Sequence, residues 1–465
     1  MTTPFEASGF WHLPSDPSRK VAGTLRYSAE DGLRLSLTGS FGEGTVSERK
    51  AGKYPVIHGI VDDSPCGRAF TLVSCFRSAL SVRMPGFATE EIRANEAYGG
   101  EHFLSEDDLS FDAVSLRPPI LDDWIDTTGM RIEPPAGEES DTRFHYSRPE
   151  MASFPLDTRT LKIGVAWSAS QSRRSFSFHE NVGIRIENLG HISAKKVFQK
   201  YIYPLRNFFT LASDHPCELD SIVFFNGSVE TADVEGPSPI HHLAQPIYLS
   251  KEPKKDLLAH DMLFTYEDVK HYLPSIFPKW FEFSEIFKPF CVSYFGLLYA
   301  PDAFVDGRFL RLIESMVLLF RDLGDHDDSL GPALDEAVKT FQARCSGKNV
   351  RWLADVMPTV ADVSLPWKLA GALDNYRDLM TPLIGDDVEG FVDLVLTTRR
   401  YCQSRDSALA EHSVQGADLY WLTEKLKVLV KTLILEWLGI PRDLIVRLIR
   451  RNRVYSYLAS LHESG

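Results

Sequence analysis

Apolar and polar residues alternate through VAGTLRYSAEDGLRLSLTGS (21–40) on either side of Asp31-Gly32, which predicts two strands joined by a tight hairpin. PVIHGIVDDSPCGRAFTLVSCF (55–76) repeats the pattern, with strands near 55–61 and 69–76 around a Pro/Gly turn. LKIGVAWSA (161–169), RSFSFH (174–179), VGIRIENL (182–189) and SIVFFNGS (221–228) predict further short strands. Between the last two, SAKKVFQKYIYPLRNFFTLA (193–212) predicts a helix that Pro204 should kink or split. No fixed-period repeat runs through this half.

From about 275 the period changes from two to 3.6. FPKWFEFSEIFKPFCVSYFGLL, GRFLRLIESMVLLFRDL, GPALDEAVKTFQARC, WKLAGALDNYRDLM and DVEGFVDLVLTTRRYCQSRDSALAEH each predict a helix. ADLYWLTEKLKVLVKTLILEWL and PRDLIVRLIRRNRVYSYLASL follow, separated by Gly439 and Pro441, a helix stop and restart. The expected class is therefore α+β in two domains. A β-rich domain covers 1–265 and an all-α bundle covers 275–465, the boundary falling in or just after LSKEPKKDLLAHD.

Composition narrows the function classes. A 465-residue chain with 44% hydrophobic and 25% charged residues is an ordinary globular protein with room for real cores. Its net charge of -14 argues against a general nucleic-acid coat but leaves room for a local basic site. The six cysteines (66, 75, 217, 291, 345 and 402) contain no C-x-x-C pair, which fits a reducing cytoplasm and no zinc site. No signal-peptide pattern opens the chain, and LKVLVKTLILEWLGI is too short and lysine-bearing to span a bilayer. The expectation is a soluble, cytoplasmic protein without cofactor or metal.

One stretch combines residues suited to chemistry. Phe391, Val395, Thr398 and Cys402 step by four and three, and Arg405, Leu409 and His412 of RDSALAEH continue that rhythm. On one continuous helix, Arg405 and His412 would share a face. Histidine titrates near neutrality and can exchange a proton with a ribose 2′-hydroxyl or a leaving oxygen. Arginine stays charged and can clamp a phosphate through two donors. Asp406, directly behind Arg405, would orient them. The competing reading ends the helix near Gln403 and leaves Arg405 and His412 as solvated loop residues.

The spacing also arises by accident. Arg174 and His179 lie in an alternating strand, pointing to opposite faces, and Arg321 and His326 run into the acidic GDHDDS (324–329), which by its composition reads as a solvated turn. His241-His242 has no second ligand pair nearby. Arg442, Arg447, Arg450, Arg451 and Arg453 on the last helical stretch make either a positive face for RNA or a solvated helix end. Trp11, Trp124, Trp167 and Phe70 are expected in the core. Asp122-Asp123 are a weak pointer to a hydrolytic β domain.

The sequence resembles the ApeA family, bacterial anti-phage proteins in which a β-rich N-terminal domain joins an ApeA-type HEPN domain. The likeness rests on GFWHLPSDPSRKVAGTLRY with GLRLSLTGS, VIHGIV with FTLVSCF, and LDDWI in the first half. In the second half it rests on GRFLRLIESM, VLTTRRYCQS and LYWLTEKLKVLVKTLILEWLGIP. It implies a metal-independent HEPN ribonuclease that cuts RNA, host tRNA among the candidates, when infection is sensed. It also implies a homodimer, since HEPN sites form between protomers, and an N-terminal sensor for a phage-derived trigger. Arg405, His412 and Asp406 are the catalytic candidates, with Arg399, Arg400, Arg447, Arg450 and Arg451 as RNA-binding candidates. The sequence departs from the family in one place. Where many relatives carry a short Arg-Asn-x-x-x-His, Arg399 and Arg400 fill the first two positions and Ser404 stands in place of the histidine. The second expectation is thus a degenerate HEPN dimerisation module beside a β domain that binds a phage component.

Overall fold

The structure is a computed structural model that describes residues 4–41, 52–82, 88–133, 143–150, 152–227, 238–244, 256–300, 304–323 and 360–463. The chain divides into two compact units, Met1–Phe209 with Cys217–Leu257, and Thr210–Pro216 with Leu258–Gly465. The first is β-rich and the second helical, as the change of period predicts.

Sixteen strands are described in the first unit: β1 (Phe5–Leu13), β2 (Asp16–Ser28), β3 (Gly32–Thr38), β4 (Lys53–Val61), β5 (Ala69–Val82), β6 (Ala88–Gly99), β7 (Ser110–Phe111) and β8 (Ala113–Arg117) come first. They are followed by β9 (Met130–Glu133), β10 (Arg143–Tyr146), β11 (Ala152–Leu156), β12 (Arg159–Gln171), β13 (Phe176–Glu187), β14 (Ile192–Ser193), β15 (Ser221–Phe225) and β16 (Ile240–Ala244). Strands β6-β3-β2-β1-β4-β5 run in that spatial order, and β5 pairs back onto β6, so they close into an antiparallel barrel. Closure leaves these six strands without a free edge. The barrel is filled by Trp11, Leu25, Ile57, Phe70 and Leu72, all buried. The hairpin predicted at Asp31-Gly32 joins β2 to β3, with Gly32 at φ +72°.

From β6 the sheet continues outward as β16-β15-β8-β13-β12-β11. Alternation gives this wing two unlike faces. Val114, Leu116, Leu161, Ile163, Ile184, Ile186 and Phe224 are buried on one, whereas Ser115, Arg117, Lys162, Gly164, Gly183 and Arg185 lie between them on the other. Trp124 of α1 (Ile120–Ile125) packs edge-on against Phe208 and Phe209.

Three expectations are corrected in this unit. RSFSFH and VGIRIENL are one strand, β13, because its pairing with β12 runs unbroken from Gln171↔Phe176 to Thr160↔Glu187. Pro204 interrupts the regular α-helix without splitting it, the first of its two expected outcomes. α2 (Ala194–Val197) passes through a π turn at Phe198–Ile202 into α3 (Tyr203–Ser213), and the wider turn accommodates the missing N–H. Trp167 is 53% exposed rather than core, since β12 and β13 extend beyond the wing there, whereas Trp11, Trp124 and Phe70 are buried. Asp122 and Asp123 point to different partners, accepting from the backbone N–H of Val182 and Leu257 at 3.0 and 3.3 Å. They are spent as backbone caps.

In the second unit the described helices are α4 (Tyr266–Val269), α5 (Leu273–Ile286), α6 (Lys288–Leu298), α7 (Val305–Leu323), α8 (Val360–Asn375), α9 (Arg377–Ile384), α10 (Val388–Ser404), α11 (Ser407–Ala410), α12 (Gly416–Trp437), α13 (Arg442–Arg451) and α14 (Arg453–Glu463). Several predicted single helices are broken in two: at Phe287, at Tyr376, at Arg405 and at Asn452. α12 is the central element and is buried nearly all round. Its charged residues are paired inside: Lys427 with Glu424 at 3.0 Å, and Lys431 with Asp214 at 2.5 Å. Among the described residues no helix is long and apolar enough to cross a membrane. The helix expected at 331–345, His326, GDHDDS, Cys345 and residues 249–255 of the polar boundary stretch lie outside the described residues.

Candidate functional site

α10 begins at Asp387, whose carboxylate accepts from the Gly390 N–H at 2.8 Å, and it buries Phe391, Val395, Thr398 and Cys402. These are the seam positions read from the sequence. The seam does not continue. Arg405 adopts the left-handed conformation (φ +57°) and its N–H closes on the Tyr401 carbonyl at 2.8 Å, ending the helix. Asp406 then caps α11, accepting from the Ala408 N–H at 3.0 Å. Arg405 and His412 therefore lie on a capped loop and do not share a helix face, which corrects the expectation of one continuous helix.

This loop is tied back onto α10. The Val414 N–H donates to Thr398 Oγ1 at 3.3 Å, and the Tyr401 hydroxyl donates to Gln415 Oε1 at 3.2 Å. Ser404 donates to the Arg400 carbonyl at 2.9 Å and accepts from the Asp406 N–H at 3.2 Å. Its hydroxyl is thus part of the helix stop.

The Arg405 guanidinium is exposed, hydrogen-bonded to Asp306 of α7, and lies 5.7 Å from the Tyr401 ring centre. The Asp306 carboxylate raises its pKa, so the group is a permanent cation. Asp406 is spent on the backbone and supports the loop rather than the arginine side chain. His412 is exposed, its backbone N–H bonded to the Leu409 carbonyl at 3.2 Å. Beside the Asp306–Arg405 pair, α7 and α10 enclose a cleft of about 620 Å³ whose lining includes Arg311, Glu314, Arg399 and Gln403. Arg400 is exposed on the same helix. Arg311 is a lining cation that the sequence reading did not single out, because in GRFLRLIESM it reads as an ordinary polar position of an amphipathic helix.

The arginines of the last helices are mostly engaged within the unit. Arg451 grips Asp268 through both terminal nitrogens at 2.8 and 2.6 Å. Arg450 donates to the Asp378 carbonyl at 2.9 Å, and Arg442 reaches Asp378 at 3.1 Å while lying over Tyr376. Arg453 is 3.6 Å from Asp261, and Arg447 is exposed. A chain this acidic consumes its arginines locally.

Residues 6–280 match the family model of ApeA N-terminal domain 1, and residues 318–444 match that of the Apea-like HEPN. The chain belongs to the ApeA family. No curated protein and no solved structure matches it. The HEPN match contains Arg399, Arg400, Arg405, Asp406 and His412, and stops short of Arg447, Arg450 and Arg451. HEPN domains are generally of ribonuclease type and typically dimerise, which makes the loop after α10 and the α7–α10 cleft the place to seek the ApeA protein's chemistry.

Proposed function

We propose that the helical unit is a metal-independent endoribonuclease of bacterial anti-phage defence that acts as a homodimer on RNA, host tRNA among its targets. Arg405 holds the scissile phosphate. His412 takes the ribose 2′-hydroxyl proton as that oxygen attacks phosphorus, and the second protomer's imidazole protonates the departing 5′-oxygen. The products are a 2′,3′-cyclic phosphate and a 5′-hydroxyl. Asp406 fixes the loop carrying both residues, and Arg399 and Arg400 guide the strand along the cleft, with Arg447 beyond them. The β unit senses a phage-derived trigger.

The observation that carries this reading is an exposed guanidinium tethered beside a cleft, on the same loop as an exposed imidazole. Incubating the purified protein with total RNA in EDTA, with and without phage lysate, tests it. Cleavage to cyclic-phosphate ends is expected, and a strict requirement for magnesium would contradict it.

A second reading has its own support. Ser404 stands where the family resemblance leads one to expect a histidine, and Arg405 is already bonded to a carboxylate. On that reading the HEPN unit is catalytically degenerate and only dimerises, while the β unit binds a phage component. The same incubation then leaves RNA intact under every condition, while the protein still elutes as a dimer.

A further inference from the structure

The outer face of the wing holds a hollow of about 420 Å³ that the ribonuclease reading does not use. That volume is in the range of small-molecule pockets. Its floor is Gly164 of β12 opposite Gly183 of β13, a paired position where neither strand projects a side chain. Ala166 and Asn181 form the next pair along the same face. The result is a flat carbon-lined shelf with one amide at its edge.

Cations border this shelf. The lining includes Arg117, Arg148, Lys162 and Arg185 against the single carboxylate of Glu187. In a chain of net charge -14 this is a marked local reversal. Glu187 positions two of them, lying 2.6 Å from Lys162 Nζ and 3.4 Å from Arg185 Nε. Phe225 backs the Arg185 guanidinium at 4.1 Å, and Arg148 donates to the Val165 carbonyl at 2.9 Å. Arg117 approaches Asp122 no closer than 3.8 Å.

Donor capacity is left over. Nε and Nη2 of Arg185 and Nε of Arg117 are buried and make no hydrogen bond among the described residues, the Glu187 contact at Arg185 Nε being an ion pair without hydrogen-bond geometry. Leaving such groups unmatched is costly, more so for charged ones. Burial lowers the Arg185 pKa and the Glu187 charge only partly offsets it, the condition of a cation short of counter-charge.

Lys162, Arg185 and Arg117 sit on β12, β13 and β8, neighbours in the sheet. Lys162 and Arg185 are a cross-strand pair, whereas Arg117 lies two residues beyond the Ser115 that faces Arg185, and so stands diagonal to them and level with Gly183. The three cations turn a corner of the glycine shelf, roughly 12 Å from end to end at the backbone, an edge that a chain of phosphates can follow. An aromatic ring fits the glycine shelf, where the Asn181 amide offers both a donor and an acceptor to its edge.

We infer that this hollow binds a nucleoside polyphosphate, with its phosphates along Lys162, Arg185 and Arg117 and its base on the Gly164–Gly183 shelf. The site belongs to the β unit alone and does not depend on the ribonuclease reading.

The test uses the full chain, with calorimetry and thermal melting against ATP, GTP, tripolyphosphate, adenosine and a 2′-fluoro oligoribonucleotide. Saturable binding of ATP or GTP is expected, falling with added salt, while adenosine does not bind. A Cβ on Gly183 meets only the Leu116 carbonyl oxygen, at 3.5 Å, so the position accepts a side chain and Gly183→Val fills the shelf. That variant and Arg117→Gln should each weaken binding by about tenfold or more while the unliganded melting temperature holds. If Gly183→Val fails to fold, Arg117→Gln gives the same reading. The inference is overturned if neither nucleotide saturates, or if tripolyphosphate binds as tightly as both. Binding of the oligonucleotide alone, or unchanged affinity in the variants, overturns it equally.

Discussion

Asp306, in the first turn of α7, accepts a hydrogen bond from the guanidinium of Arg405 across 99 residues of sequence, and Arg405 stays exposed. A pair this open to solvent adds little stability, so its consequence is to fix where the guanidinium stands. On the proposed ribonuclease reading, a substrate phosphate competes with the Asp306 carboxylate for it. Asp306→Asn should therefore bind an uncleavable RNA analogue roughly two- to fivefold more tightly, with little change in melting temperature. Filter binding across a salt series checks this. Weaker binding by the variant would show that Asp306 is needed to present Arg405.

His412→Ala removes the proposed proton carrier and touches no packing, because the imidazole is exposed. Loss of a general acid–base group costs about 10²–10⁴-fold in rate. RNA cleavage should fall by that much while light scattering still reports a dimer. Arg405→Lys should fail too, since a point charge does not replace the two-pronged fork. Full cleavage by His412→Ala would move attention to Arg399 and Arg400.

Much of the fold was legible in the sequence, whereas the local geometry around the candidate site was not. Asp31-Gly32 announced its hairpin, and the change of period near 275 announced the helical unit, because both are local signals. Barrel closure was not legible: β5–β6 pairs neighbouring strands, but the β1–β4 and β3–β6 pairings that carry the sheet round to it join strands distant in sequence. Of the two readings offered for this stretch, the one that ends the helix near Gln403 holds, and the sequence did not decide it because the break uses neither Gly nor Pro. Arginine takes the left-handed position and Asp306, distant in sequence, holds it there. One local clue did exist. Asp406 before Ser407 is a favoured helix N-cap, and reading it as such divides α10 from α11.

Asp268 carries a pH prediction. It receives both nitrogens of Arg451 and also the N–H and hydroxyl of Thr265, capping α4. Burial pushes its pKa up, but the Arg451 and Thr265 bonds outweigh that and hold it below the ordinary aspartate value. Because the folded pKa is depressed, the stabilisation is present above the unfolded pKa and is lost as pH falls through the folded one. Asp268→Asn should lower stability near neutrality by roughly 1.5–3 kcal/mol, the range for hydrogen bonds to charged groups. The gap from the parent should close on acidification below about pH 4, where the parent carboxylate also protonates. Thermal melts at neutral and acid pH check this, and a gap that widens in acid would refute it.

Gly59 tests how the barrel is filled. A Cβ there would lie 2.2 Å from Cζ3 and 2.3 Å from Cε3 of Trp11. The ring cannot retreat easily, since Trp11 is fully buried, packs near Phe70 and donates from Nε1 to the Gly23 carbonyl at 3.2 Å. Gly59→Ala should therefore cost about 1–3 kcal/mol or more, the usual penalty of overpacking. Residues in contact couple, so Trp11→Phe, which shrinks the ring, should recover part of that loss in the double variant. Urea unfolding of the two single variants and the double variant followed by circular dichroism measures the coupling. Additive losses would mean that the ring and the glycine do not constrain one another, and that Trp11 is seated by the rest of the barrel.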